Sequence, residues 1–116
     1  MKTLGMKGGS YSLNEKTIDA QVLPNVRGNY ALGKTNERGT FVVGYVGRSD
    51  NDLNARLKQW IGKTTEPEFK FSYAPTPKAA YEKECSNWHD FTPRSQIHPA
   101  RPEKSDWKCP VVGCDK

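Results

Sequence analysis

The chain has 116 residues, which suits one domain with a single modest core. Its apolar fraction of 34% and charged fraction of 27% fit a globular protein with some irregular margins. No apolar run approaches the roughly 18 residues that a membrane span requires, and the N-terminus lacks the apolar segment of a signal peptide. These features argue against a membrane protein, and we expect a cytoplasmic one.

The positive charge is concentrated in one part of the chain. The net charge is +5, and residues 27–63 alone contain seven Lys or Arg against three Asp or Glu, a local net charge of +4. An excess of this kind is expected where a surface faces phosphate groups. Weak basicity also occurs in proteins that bind no nucleic acid, so other sequence features must decide between the two.

The first half of the chain contains two strand candidates and one helix candidate. Residues 1–26 are polar and glycine-dotted, and we predict an arm with a helical or extended segment over 14–22. Residues 29–32 and 40–46 are predicted strands, joined by a turn over 34–39 that contains Asn36 and Gly39.

A helix follows, capped by Ser49 or Asp50, with Asp52 in its first turn. We expect this helix to end at Gly62, and Arg56 lies on the flank of its apolar face. That face has helical spacing and is formed by Leu53, Leu57, Trp60 and Ile61.

The second half of the chain adds a third strand over 69–73 and a second helix with Thr76 as its cap and Pro77 at its first position. Glu84 lies beside an apolar stripe on this helix, formed by Tyr81, Cys85 and Trp88. Prolines after residue 91 disfavour regular structure. The order ββαβα predicts an α+β domain at 27–91, between the arm at 1–26 and an irregular Pro-rich tail at 92–116.

Four of these features, in this order, resemble the GIY-YIG nucleases. They are Gly28-Asn29-Tyr30, then Tyr45-Val46-Gly47, then Arg56-Leu57 on the first predicted helix, and Glu84 on the second. The resemblance covers roughly residues 28–90 and implies a three-stranded antiparallel sheet flanked by helices. It also implies a metal-dependent endonuclease that hydrolyses phosphodiester bonds in DNA. Asn29 and Val46 depart from the isoleucines of the family motifs.

The resemblance assigns roles to individual residues. Tyr30 or Tyr45 would position the attacking water or take its proton, and a nearby cation would have to lower the phenol pKa from its usual value near 10. Arg56 and Arg48 would supply that positive charge and bind phosphate oxygens. Glu84 would be the single carboxylate ligand of Mg²⁺ or Mn²⁺.

The two glycines, Gly28 and Gly47, would let the backbone approach the nucleic acid closely. Several family members have a histidine one turn after the arginine, where this chain has Gln59 and Trp60. Lys58 is at best a substitute for that histidine as a base, and we predict that it binds substrate. The family's usual extra DNA-binding domain has no counterpart here, so targeting would depend on a protein partner, on self-association or on the flanking segments.

Three cysteines and two histidines lie in the last third of the chain. The odd number of cysteines, together with the missing export signal, argues against a disulfide framework and favours reduced thiols or a metal site. A structural Zn²⁺ site would combine Cys85, His89, Cys109 and Cys114. A buried free thiol is the alternative for Cys85. The segment with His98 and Arg101 is either a linker or a substrate-edge segment.

Two other functions stay open at this point. One is a nucleic-acid-binding module that has the nuclease fold but does not cut. The other is a zinc-stapled interaction protein in which Tyr30 and Tyr45 only pack the sheet.

Overall fold

A computed structural model describes Met6 and residues 9–91. Within this range the chain forms four strands and three helices. In chain order they are β1 (Tyr11–Ser12), α1 (Glu15–Gln21), β2 (Gly28–Thr35), β3 (Phe41–Ser49), α2 (Leu53–Trp60), β4 (Glu68–Tyr73) and α3 (Pro77–Phe91). The predicted α+β class and the ββαβα order over the core are confirmed.

The strands form one antiparallel sheet in the order β1-β4-β2-β3. The sheet therefore has four strands, and the predicted three-stranded sheet is wrong by one. The extra strand β1 has only two residues and pairs with the outer side of β4. A two-residue strand has no periodic pattern, so pairing with its neighbour alone defines it. At the opposite side of the sheet, β3 is an edge strand, and this edge carries the candidate site.

A one-residue irregularity in β3 sets the direction of its side chains. Leu32 pairs with Tyr45 but Gly33 pairs with Val43, so the register shifts between these two pairs. Side chains normally alternate between the two faces of a strand, so positions an odd number apart lie on opposite faces. The extra residue in β3 shifts this alternation by one, and two positions on either side of it that are three apart then lie on the same face. Val43 and Val46 consequently pack in the same apolar cluster, while Tyr45 points to the opposite face.

The core is divided between the two faces of the sheet. Helices α1 and α2 cover one face, where the fully buried residues are Ile18, Val22, Tyr30, Leu32, Leu53, Leu57 and Phe69. Helix α3 packs against the other face, whose cluster contains Met6, Ala31 and Val46, with Phe41, Val43 and Trp88 partly buried against it. The side chain of Asn29 links this face to α3, since its Nδ2 donates to the carbonyl of Ala80 at 2.8 Å.

Residues 9–26, the described end of the predicted arm, are part of the domain. Asn14 caps α1 by accepting the backbone N–H of Thr17 at 2.8 Å. Ile18 and Val22 are completely buried in the core. The helical or extended segment predicted over 14–22 is therefore the helix α1, which packs into the core. The short helix has few apolar residues, and its burial depends on α2 and the sheet being present.

Local signals define the helix ends. The cap of α2 is Asp52, which accepts the N–H of Ala55 at 3.1 Å, so the predicted cap at Ser49 or Asp50 is wrong by two or three positions. Thr76 caps α3 as predicted, accepting the N–H of Ala79 at 3.0 Å. Ile61, predicted on the buried face of α2, lies beyond its end and is 39% exposed.

In the part of the chain that the structure describes, no helix has both the length and the apolar character needed to cross a bilayer. The predicted tail over 92–116, with Cys109, Cys114, His98 and Arg101, lies outside the described residues.

Candidate active site at the edge of the sheet

Two tyrosines and a tryptophan pack together on the α2 side of the sheet. Tyr30 and Tyr45, on neighbouring strands, have stacked rings with centroids 6.2 Å apart. The ring of Trp60 lies 4.7 Å from that of Tyr45, and its Nε1 donates to the hydroxyl oxygen of Tyr30 at 2.7 Å. The antiparallel register of β2 and β3 brings the two predicted tyrosines together, and α2 fixes one of them with a hydrogen bond.

The two phenols differ in exposure and in acidity. Tyr30 is fully buried, and burial raises its pKa to about 12 even though the Trp60 hydrogen bond and the charge and hydrogen bond of Arg56 lower it. Tyr45 is partly exposed, and its pKa is raised by burial and by the negative charge of Glu84, against a lowering by Arg56. The expected cation is present, but burial outweighs it. Both hydroxyls therefore hold their protons at neutral pH, and Tyr45 is the one that reaches solvent.

Arg56 is the exposed cation of this group. It lies on α2, and its Nη1 donates to Gln59 Oε1 at 3.2 Å. It forms no ion pair with any carboxylate among residues 9–91. Its guanidinium therefore retains most of its hydrogen-bonding capacity for an anion such as a phosphate.

Glu84 lies on α3, on the other side of the sheet from the tyrosines, and is paired with Arg48. Arg48 Nη1 donates to Glu84 Oε1, and its Nε donates to Asp50 Oδ1 at 3.1 Å. The guanidinium also lies 5.3 Å above the ring of Tyr81, a cation–π arrangement. Arg48 is thus held by two carboxylates and an aromatic ring.

The environment of Glu84 is unfavourable for a free carboxylate. Its side chain is 8% exposed, and burial raises its pKa to about 7, although the charge and hydrogen bond of Arg48 and the charge of Arg56 lower it. The negative charge of Asp50 adds to the increase. A group in this state gains from a nearby cation, because ionising without one is costly.

Charged groups on the two faces of the sheet influence one another's surroundings around β3. The charge of Glu84 acts on the pKa of Tyr45, and the charge of Arg56 acts on the pKa values of Tyr30, Tyr45 and Glu84. Since β3 is the edge strand, no further strand of the described sheet lies beyond these groups on that side. The four residues predicted as catalytic are therefore close enough to interact through their charges.

The two glycines have a different role from the predicted one. Both are buried, and the protein itself fills the space beside them. A Cβ at Gly47 would lie 2.4 Å from Tyr30 Cζ, and one at Gly28 would lie 2.3 Å from the carbonyl oxygen of Ser72. Gly47 leaves room for the Tyr30 ring to cross β3, and Gly28 lets β4 approach β2. The space beside both glycines is therefore filled by the protein and is not open to a nucleic acid.

Replacing Gly47 by alanine tests this packing. Because the new methyl group must displace the buried Tyr30 ring, we expect Gly47→Ala to lower the free energy of unfolding by about 1 to 3 kcal/mol. Gly44→Ala is the matched control in the same strand, since its Cβ meets only the flexible carboxylate of Glu66. Urea unfolding of both variants measures the difference, and equal stability of the two would contradict the packing role.

Lys58, predicted to bind substrate, is engaged elsewhere. Its Nζ lies 2.6 Å from Asp19 Oδ1 and joins α2 to α1. Lys58 therefore lies away from the Tyr30–Trp60 contact, and Trp60, one turn after Arg56, is the residue of α2 that contacts the tyrosines. The sequence predicted Trp60 on the apolar face of the helix and at the place of the family's histidine, but with no role of its own in the site. Its position four residues after Arg56 was the available signal for such a role.

The cysteine prediction needs correction at Cys85. This residue is completely buried and is disulfide-bonded, so it is not the expected reduced thiol, and in this state it offers no thiolate to zinc. Cys109 and Cys114 of the proposed zinc set lie outside the described residues, while His89 packs its ring against Trp88 at 5.0 Å. Within the described range no group of three or more His, Cys, Asp or Glu side chains is arranged to hold a metal ion.

A hydrated divalent ion has less demanding requirements than zinc. Mg²⁺ keeps most of its waters and accepts one or two carboxylates together with substrate oxygens. Glu84 and Asp50 both bond to Arg48, and this guanidinium already shows that the two carboxylates hold a cation. The donor set therefore fits Mg²⁺ or Mn²⁺, provided that Arg48 gives up its bond to Glu84.

Comparisons of the chain with models of known protein families, with curated proteins and with solved structures find no match. The resemblance to GIY-YIG nucleases therefore depends on the residues and geometry described above.

Proposed function

We propose that this protein is a metal-dependent endonuclease that hydrolyses phosphodiester bonds in DNA through a GIY-YIG-type site. One observation carries the proposal: the stacked pair Tyr30 and Tyr45 lies at the edge of the sheet, where the charge of Arg56 acts on both tyrosines and on Glu84, and the charge of Glu84 acts on Tyr45. Packing alone explains a stacked tyrosine pair. It does not explain an exposed arginine that forms no ion pair with a described carboxylate and whose charge acts on both tyrosines and on the buried Glu84.

The chain's own residues divide the work as follows. Arg56, free of carboxylate partners among the described residues, binds a phosphate oxygen and stabilises the charge that develops there. Tyr45, protonated and partly exposed, orients the attacking water by a hydrogen bond, while Tyr30, fixed by Trp60, holds Tyr45 in place through ring contact. Glu84 and Asp50 would hold Mg²⁺ or Mn²⁺, which supplies charge neutralisation and help for the leaving oxygen when bound.

The same geometry weakens a general-base role for either phenol. A base must lose its proton near working pH, and burial raises the pKa of both tyrosines. We therefore assign Tyr45 to positioning the water, and the proton passes to solvent or to a substrate phosphate oxygen.

A plasmid-nicking assay tests the proposal. We expect the wild-type protein to convert supercoiled DNA to nicked circles only when Mg²⁺ or Mn²⁺ is present, and Glu84→Ala to be slower by about 10²-fold or more. Glu82→Ala, on the next residue but one along the same helix, is the matched control and should cut like the wild type. Equal cutting by Glu84→Ala and Glu82→Ala would remove Glu84 from the mechanism.

The second candidate is a DNA-binding module that does not cut. The local net charge of +4 in residues 27–63 is the observation that favours it, from seven basic and three acidic residues. If neither wild type nor variant nicks DNA, yet both shift it in a gel with an affinity that falls steeply with salt, this candidate replaces the first. A zinc-stapled interaction protein is less well supported, because Cys85 is disulfide-bonded.

The proposed location is the cytoplasm. The disulfide at Cys85 weighs against that location, because cytosolic thiols are generally kept reduced. We propose that targeting to particular DNA depends on a protein partner or on self-association.

A further inference from the structure

Arg48 lies between the two carboxylates that we assign to the divalent ion. Its guanidinium bonds to Glu84 through Nη1 and to Asp50 through Nε, the latter at 3.1 Å. The Arg48 side chain is 12% exposed and that of Glu84 is 8% exposed, and the ring of Tyr81 lies beneath the guanidinium. This is a largely desolvated cation between two carboxylates, and it is the only arginine with this arrangement in the described part of the chain.

Charge balance makes simultaneous occupancy unfavourable. Glu84, Asp50 and Arg48 together carry one net negative charge when both acids are ionised, and adding a divalent ion would reverse the sign of this group, in which Arg48 and Glu84 are largely buried and Asp50 is 42% exposed. Without Arg48 the two carboxylates carry a charge of −2, which matches a divalent ion. Like charges close together in a poorly solvated site repel strongly, so the guanidinium and the ion compete for Glu84.

Arg48 also has an alternative place to bind. It lies on the edge strand β3, three residues after Tyr45, so a side chain released from Glu84 remains next to the sheet edge where the substrate phosphate is expected. A guanidinium forms bonds to phosphate at least as readily as to carboxylate. The phosphate contact predicted for Arg48 is thus incompatible with its present bonds and becomes available once they break.

We propose that Arg48 is a gate on the metal site: it pairs with Glu84 and Asp50 in the free protein and leaves them for a substrate phosphate when a divalent ion takes the carboxylates. This inference rests on the proposed function, because it assumes that Glu84 and Asp50 hold the ion. Arg48 would then have two successive partners, the carboxylates and the phosphate. In the free protein Arg48 would weaken the binding of the ion.

Direct measurement of Mn²⁺ binding tests the gate without relying on cutting. Free and bound Mn²⁺ are separated by electron paramagnetic resonance in titrations of wild-type protein, Arg48→Gln and Arg48→Lys. We expect Arg48→Gln to bind Mn²⁺ at least tenfold more tightly than the wild type, because the competing charge is gone. Arg48→Lys retains a charge and should stay within threefold of the wild type. Arg38→Gln, an exposed arginine in the hairpin turn, controls for the change in net charge and should have no effect.

The double variant Arg48→Gln/Glu84→Gln shows whether the gain acts through Glu84, and we expect it to lose the tighter binding. At saturating Mn²⁺, Arg48→Gln should also cut more slowly than the wild type, because its phosphate contact is lost.

Unchanged or weaker Mn²⁺ binding by Arg48→Gln, with native circular dichroism, would overturn the gate even if the wild type cuts DNA. Tighter Mn²⁺ binding by Arg48→Gln together with a wild type that never cuts would support the gate and count against the nuclease proposal. Should Arg48→Gln fail to fold, Arg48→Met provides the same loss of charge with an apolar chain over Tyr81.

Discussion

Replacing Arg56 by alanine is expected to reduce DNA cutting by about 10²- to 10³-fold while leaving the stability of the protein within about 0.5 kcal/mol of the wild type. The two effects separate because Arg56 is exposed and forms no ion pair with a described carboxylate. Its hydrogen bonds go to Gln59 and to the Tyr30 hydroxyl, and Trp60 also donates to that hydroxyl, so folding depends on Arg56 very little. Its charge, in contrast, acts on Tyr30, Tyr45 and Glu84, and a phosphate in the site would lose its free cation.

Single-turnover cutting and urea unfolding of Arg56→Ala measure the two quantities. Arg38→Ala, an exposed arginine in the hairpin turn away from the site, is the control and should cut at the wild-type rate. Arg56→Lys should recover part of the activity, since a lysine retains the charge but not the two-pronged geometry of a guanidinium. A loss of stability that parallels the loss of cutting would show that Arg56 is a structural residue.

The second large effect concerns the dependence of stability on pH. The pKa of Glu84 is about 7 in the folded protein against 4.5 for the unperturbed group. Between these two values the folded protein binds more protons than the unfolded chain, so its stability falls as the pH rises. Over the whole interval the loss attributable to Glu84 is on the order of 3 kcal/mol.

Comparison with Glu84→Gln isolates this contribution, because the amide does not titrate. We expect the unfolding free energy of the wild type, minus that of Glu84→Gln, to decrease from pH 5 to pH 8, whereas Glu82→Gln should show no such trend. Two opposing effects are compared here: burial raises the pKa of Glu84 and the Arg48 pair lowers it. If the difference instead increases with pH, the ion pair with Arg48 outweighs burial, and Glu84 is ionised in the free protein.

Much of the framework could be predicted from local patterns. Alternation in residues 69–73, the Asn36–Gly39 turn chemistry and the cap at Thr76 each depend on neighbours in sequence, and each was located correctly. The proximity of Tyr30 and Tyr45 followed from a simple hairpin, because two strands joined by a short turn have few alternative registers.

The missed features depend on tertiary contacts. Strand β1 exists only through its pairing with β4, and α1 is held by the burial of Ile18 and Val22. The pair of Arg48 and Glu84 joins residues 36 positions apart on different elements, and no local pattern indicates which acid an arginine will select. The packing role of Gly47 likewise required knowledge of where the Tyr30 ring lies.

The paired Arg48 changes how the site is understood. A sequence comparison treats Arg48 and Glu84 as two independent parts, a phosphate ligand and a metal ligand. In the folded protein Arg48 and Glu84 are bonded to each other, and Arg48 also donates to Asp50. The site is therefore described better as a closed ion cluster next to an open arginine than as four separate catalytic groups.

The central claim is that groups from both faces of the sheet act on one phosphate, and a double-mutant cycle of Arg56→Ala and Glu84→Ala tests it most directly. Single-turnover cutting rates of the wild type, both single variants and the double variant are measured at saturating Mg²⁺. Residues that act as one unit lose activity non-additively, so we predict that the double variant is nearly as active as the slower single variant. Losses that multiply, with the double variant slower by the product of the two single effects, would contradict a shared site.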